Sequence, residues 1–282
     1  MPLVNTRELV DEAVAAGSGV AAFNVITLEH AEAIAAGAER AGRPAILQIS
    51  QNAVAFHRRL GPVAAATAAV ARASSARLGL HLDHVVSPAL VEAAPAAGFG
   101  SVMVDASKLS YEQNVARTAE LVAFGHRHGM WVEAELGRVG GKDGEPPLDA
   151  HAPGVRTDPD EAAAYVAATG VDALAVAVGS SHAMTERTAA LDHALIGRLR
   201  ASVPVPLVLH GSSGVPDDEI RAAIAAGMVK INVGTALNTA FTAAVREQLA
   251  ARPDVVDPRK YLAPAREAMA TTVAAFLALL HE

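Results

Sequence analysis

No cysteine occurs among the 282 residues. That excludes a disulfide framework and any thiolate metal site, so a transition metal must rest on histidine and carboxylate ligands. The eleven histidines are therefore the residues to trace. There is no Lys/Arg run either, and the formal net charge is -7, which argues against a nucleic-acid surface and for a small soluble partner. The opening stretch "MPLVNTRELVDEAVAAG" carries acids in its first turns and no apolar core of signal-peptide length. No later segment offers an uninterrupted apolar run of spanning length, so the sequence reads as cytoplasmic, with no membrane partner. A dinucleotide fingerprint is also missing: "GFGSVM" at 98–103 precedes a strand instead of following one, which is the wrong context for cradling a phosphate.

What is present is a repeated alternation. Short runs rich in Val, Ile and Leu recur at 20–26, 45–50, 78–84, 101–106, 131–137, 172–179, 206–212 and 229–235. Alanine-rich segments with helical spacing lie between them, such as "LEHAEAIAAGAERAG" and "PDDEIRAAIAAG", several ending in the glycine of a helix C-cap. Eight β-α units of this size, in a chain 51% hydrophobic, predict an α/β fold of the (β/α)8 TIM barrel type. It spans 1–282 as a single barrel domain with a C-terminal helical extension. Residues 137–157 are rich in Gly and Pro without periodicity and read as a mobile loop. Asp158, Pro159 and Glu161 then supply an N-cap, a first-turn proline and a capping-box acid for the next helix.

Polar residues interrupt the apolar strands, mostly at their carboxyl ends. Asp83 and His84 close strand three, Asp105 closes strand four, Glu133 and Glu135 lie in strand five, His182 follows strand six, His210 closes strand seven and Asn232 lies in strand eight. In a (β/α)8 barrel those ends converge on one mouth, so three imidazoles can meet there. Three His ligands leave a fourth position open on a catalytic Zn²⁺. A single histidine at a strand end is more often a hydrogen-bonded polar residue; three on separate strands carry the argument. His126 and His128 precede strand five and so belong to the opposite face, solvated. Alternation puts Asp83 and His84 on opposite faces of their strand, and both reach the mouth only if the strand ends or bulges there. Asp83 is then either an acceptor that orients an imidazole or a proton carrier. Asp105 and Glu135 serve as secondary metal ligands or orienting groups, with core ion pairing the competing account. "GSSH" 179–182, "HGSSG" 210–214 and "NVGT" 232–235 read as anion cradles at adjacent strand ends.

Taken in order and spacing, "AFNV", "LHLDH", "SVMVDAS", "VEAELGRVGG", "LVLHGSSGVP", "KINVGT" and "DPRKYL" resemble the class II, metal-dependent ketose-bisphosphate aldolases nearly end to end. The resemblance implies His84, His182 and His210 as zinc ligands and Asp83 as the acid/base at the C4 hydroxyl. Asn232 would hold the enediolate, whose charge Zn²⁺ stabilises. Gly179, Gly211, Ser213 and Thr235 would bind the phosphate of the dihydroxyacetone phosphate half, often with Na⁺ or K⁺ nearby. Asn24 and Ser50 match substrate-contacting positions. Asp143 matches the loop acid that protonates the carbanion, one methylene shorter than the glutamate of relatives. Arg259 matches an arginine reaching the distal phosphate from a neighbouring subunit, which implies a homodimer or homotetramer. The substrate implied is a ketose 1,6-bisphosphate, fructose first and tagatose next.

The lysines support this over Schiff-base aldolase chemistry. There are four, Lys108, Lys142, Lys230 and Lys260, none in strand six, and Lys230 opens strand eight away from the mouth. Two departures touch the phosphate end. Ala183 stands where the family usually has Gly, and a backbone donor survives that change only if the local φ is negative; Ala236 stands where an acid is common. A weakly catalytic sugar-phosphate-binding homologue and a zinc hydrolase on the same barrel remain alternatives, although strand one lacks the His pair of such hydrolases.

Overall fold

The structure is a computed structural model, which describes residues 3–137, 139–141, 150 and 154–281. Eight parallel strands close on themselves in sequence order: β1 (Val20–Asn24), β2 (Ala45–Ser50), β3 (Leu78–Val85), β4 (Ser101–Val104), β5 (Trp131–Leu136), β6 (Ala173–Val176), β7 (Leu207–Leu209) and β8 (Met228–Val233). All eight expected strands form, and β8 pairs with β1 to seal the cylinder. It is a (β/α)8 TIM barrel.

The helices follow the sequence signals. They are α1 (Thr6–Ala16), α2 (Leu28–Ala41), α3 (Gln51–His57), α4 (Leu60–Ala73), α5 (Pro88–Ala93) and α6 (Tyr111–Arg127). The second half adds α7 (Pro159–Thr169), α8 (His193–Ser202), α9 (Asp217–Ala226), α10 (Thr235–Ala251) and α11 (Arg259–Leu279). Asp158 caps α7, accepting from the Asp160 and Glu161 amides, and Pro159 opens it. α2 ends at Gly42 in the left-handed conformation its sequence announces. α11 satisfies length and apolarity tests for a membrane span, yet its buried residues Met269, Val273 and Leu277 pack it on α2 and α10, which accounts for that apolarity. The fit is tight: a Cβ on Gly37 of α2 would lie 2.6 Å from the Val273 side chain.

Period-two alternation divides the strand residues between two cores. Leu47 and Ile49, Leu80 and Leu82, Val132 and Ala134, Leu174 and Val176 join the layer beneath the helices. Val20, Ala22, Ile46, Trp131, Ala173, Ala175 and Val208 form a second cluster with Leu9, Val10 and Ala13 of α1. On the strands that carry this inner cluster, the same face continues toward the carboxyl ends as Gln48 and Ser50, Glu133 and Glu135, and His210. His81 and Asp83 on β3 and Lys230 and Asn232 on β8 add to it. The barrel is apolar at its base and ionic toward its mouth.

Candidate active site and metal centre

β3 carries the local irregularity on which the site depends. Its pairing with β4 runs Leu82 to Val102 and then Val85 to Val104, so three steps on β3 match two on β4. The extra residue is a bulge, and His84 within it has φ +48. Asp83 and His84 consequently both line the same cavity, of about 470 Å³. A non-Gly residue in this conformation costs roughly 1–2 kcal/mol, a strain located at the site's most chemically loaded pair.

The three imidazoles meet as the strand ends suggest. Ring centroids are 5.1 Å apart for His84 and His182, 4.8 Å for His84 and His210, and 5.6 Å for His182 and His210. Together with Glu135 they offer four ligand atoms all within 4.8 Å of one another. Neighbouring ligands on a tetrahedral ion with ~2.1 Å bonds stand roughly 3.4 Å apart, so this donor set, three nitrogens and a carboxylate without sulfur, fits a divalent cation after small side-chain shifts. Asp105 sits behind the set: its Oδ2 is 2.9 Å from His84 Nδ1, and its Oδ1 accepts from the Ser107 hydroxyl. Of the two carboxylates assigned jointly from sequence, Glu135 joins the cluster of converging donor atoms and Asp105 lies against the His84 ring nitrogen behind it.

His210 is held from both sides, Nδ1 2.9 Å from Glu135 Oε2 and Nε2 3.0 Å from Glu133 Oε1. Burial alone would lower its pKa, but the two carboxylates push it up to about 9. His81, the other histidine of "LHLDHVV", behaves oppositely. It is fully buried, Nδ1 pairs with Ser101 Oγ at 2.9 Å, and burial together with the Lys230 charge brings it down to about 3. It is a neutral core residue. For Asp83, burial raises the carboxyl and the facing charges, His84 first and then Lys230, outweigh it, leaving the net shift downward. Asp83 lines the cavity, and its buried Oδ1, 3.9 Å from His81 Nε2, makes no hydrogen bond among the described residues.

Small and amide side chains make up much of the remaining wall. Asn24, Ser50, Gly211, Ser213, Asn232 and Thr235 all line the cavity. Ser50 also caps α3, accepting from the Ala53 amide, so its hydroxyl proton stays available. Gly211 has φ +69, and a Cβ there would lie 2.4 Å from the Ser181 carbonyl oxygen, so the β7 turn touches the β6 turn only through glycine. Thr235 opens the 17-residue α10, whose N-terminal amides face anions favourably. Ser213 Oγ accepts from the Ala236 amide.

Some expected residues lie elsewhere. Gly179 has φ +123 but does not line the cavity. Arg259 is at the exposed start of α11, paired with Asp257 at 2.8 Å and outside the cavity of its own chain. Asp143 lies outside the described residues, as does most of the 137–157 segment. His126 is exposed as expected but pairs with Asp172 at 2.9 Å. Ala183 has φ +57, so it keeps a glycine-type backbone instead of the negative φ that would suit alanine. Lys230 is the main correction: it is the third residue of β8, fully buried, and its ammonium lies 2.7 Å from Asn232 Oδ1. It is close beneath the mouth, and its amine is engaged by Glu133 at 2.8 Å. Gln48 was missed. It donates to Asn24 Oδ1 at 2.6 Å and lines the cavity; its place two residues before Ser50 on one strand face was the available signal.

Fold and site together define a (β/α)8 enzyme equipped for metal-dependent chemistry on a small anionic molecule. The fructose-bisphosphate aldolase class-II family matches residues 4–282. The chain is 42% identical over 276 residues to the probable fructose-bisphosphate aldolase of Bacillus subtilis, covering 97% of this chain and 95% of that one. It is 40% identical over 276 residues to the fructose-bisphosphate aldolase of Geobacillus stearothermophilus, with the same coverage. The crystal structure of the YdjI aldolase from Escherichia coli K12 superposes with a TM-score of 0.83 at 31% identity, covering 99% of this chain and 97% of that one. The chain belongs to the class II fructose-bisphosphate aldolase family, a lyase family that carries with it a divalent metal and a sugar phosphate substrate.

Proposed function

We propose that the chain catalyses reversible aldol cleavage of fructose 1,6-bisphosphate to dihydroxyacetone phosphate and an aldehyde phosphate, with one Zn²⁺ per subunit. It would act in the cytoplasm, as a single barrel domain with a C-terminal helical extension. The observation that carries the reading is the convergence of His84, His182 and His210 beside Asp83, whose buried Oδ1 makes no hydrogen bond among the described residues. The ion, when bound, polarises the ketose carbonyl and offsets the charge that builds as the carbon–carbon bond breaks.

The chain's own groups supply the rest. Asp83 accepts the C4 hydroxyl proton; the C3–C4 electron pair passes into the ketone half, and C4 leaves as the aldehyde. Asn232 donates to the oxygens that gain charge. Gly211, Ser213 and Thr235, with Gly179 supporting the β6 turn, take the ketone-half phosphate, and a Na⁺ or K⁺ near this end completes its charge balance. Asn24 and Ser50 contact the sugar. Asp143 then returns a proton to C3, and Arg259 of a neighbouring subunit in a homodimer or homotetramer meets the distal phosphate.

Coupled cleavage of fructose and tagatose 1,6-bisphosphates by purified protein tests this, before and after chelation and with zinc restored. The expected result is cleavage of the fructose ester, lost on chelation and recovered with zinc. Absence of cleavage by metal-loaded protein, or cleavage indifferent to chelation, overturns it.

A further inference from the structure

Beneath Asn232 lies a buried cation that the reaction scheme has not used. Lys230 Nζ is 2.7 Å from Asn232 Oδ1 and 2.8 Å from Glu133 Oε2, and Lys230 and Glu133 are both fully buried. Glu133 is fixed in turn, its Oε1 paired with His210 Nε2 at 3.0 Å. A lysine ammonium carries three donors and no acceptor, so the amide atom facing it must be the oxygen. That settles an orientation which is otherwise a choice between two flips. The Asn232 NH₂ then faces away from Lys230. Its Nδ2 is buried without a hydrogen-bond partner among the described residues, on a residue that lines the active-site cavity.

We infer that Lys230 is a positioning residue: held by Glu133, it fixes the Asn232 amide with its N–H groups toward the substrate oxygens that become negative during cleavage. With no donor below it, the amide is free to rotate by half a turn and present its own oxygen to that charge, which repels instead of stabilising. The competing role for Lys230 is neutralisation of Glu133 alone. The inference rests on the reading of Asn232 given above.

The test is a double-mutant cycle on metal-loaded protein, its metal content verified. Lys230→Met alone, or Lys230→Met with Glu133→Gln should the unpaired carboxylate prevent folding, is compared with and without Asn232→Ala. The Lys230 change is expected to lower kcat by about 10–100-fold, as for loss of one oriented donor, with KM changed less than about threefold. Adding Asn232→Ala to it is expected to cost less than about threefold more, since the same donor is already lost. Losses that multiply, or an unchanged kcat in the Lys230 variant, overturn the inference while leaving Asn232 its role. An unchanged kcat in Asn232→Ala alone overturns the reading of Asn232 and the inference with it. Asn232→Asp needs no change at Lys230: it keeps an acceptor toward the ammonium but has no N–H. It is expected to lose as much kcat as Asn232→Ala, and near wild-type kcat there overturns the inference as well.

Discussion

His84 Nδ1 lies 2.9 Å from Asp105 Oδ2, so the ring nitrogen left to a metal is Nε2. The carboxylate fixes both ring orientation and tautomer, as acceptors behind metal-bound imidazoles do. Asp105→Asn is expected to weaken metal affinity by about 10–100-fold, measured by competition with a chelator. Unchanged affinity would show that the bulge at His84 orients the ring unaided.

Asp83 stands beside this ligand set but outside it. Asp83→Ala should therefore keep metal at full stoichiometry and lose cleavage by roughly 10²–10⁴-fold, the range for a positioned acid/base. Cleavage near the wild-type rate would reduce Asp83 to a structural acceptor.

Ala183 pays for its left-handed backbone, φ +57, beside His182. An L-residue there is strained by roughly 1–2 kcal/mol, and glycine gives back part of the gain through its flexible unfolded chain. Ala183→Gly is expected to stabilise the protein by up to about 1 kcal/mol, with KM within about threefold of wild type because the backbone conformation is already that of glycine. A drop in Tm would contradict this.

Gly211 permits no side chain, since a Cβ would meet the Ser181 carbonyl oxygen at 2.4 Å. Gly211→Ala is expected to force the β6 and β7 turns apart, raising KM for phosphorylated substrate at least about tenfold and destabilising by more than about 1 kcal/mol. Wild-type KM would separate this turn from phosphate binding.

Much of this architecture was legible in the sequence because the barrel repeats one signal eight times: an apolar run, then helical spacing closed by glycine. The convergence of the three histidines was legible for a related reason, since polar residues at strand ends stand out against apolar runs. Bulges leave a fainter mark. That Asp83 and His84 share one cavity required a bulge, and adjacency alone cannot distinguish it from ordinary alternation. Strand position alone does not place the Lys230 amine, because its four-carbon stem carries the ammonium up to Asn232. The roles of the two carboxylates depend on distances across the barrel that no local pattern encodes: Glu135 reaches His210 from β5, and Asp105 reaches His84 from the end of β4.

The central claim is that these residues generate carbanion character at C3 of dihydroxyacetone phosphate through a bound divalent ion. Solvent deuterium exchange into that position, followed by NMR without any aldehyde present, isolates this half-reaction. Metal-loaded protein is expected to exchange, with the exchange abolished on chelation and restored by zinc. Equal exchange with and without metal, or none from protein shown to hold its ion, would contradict it.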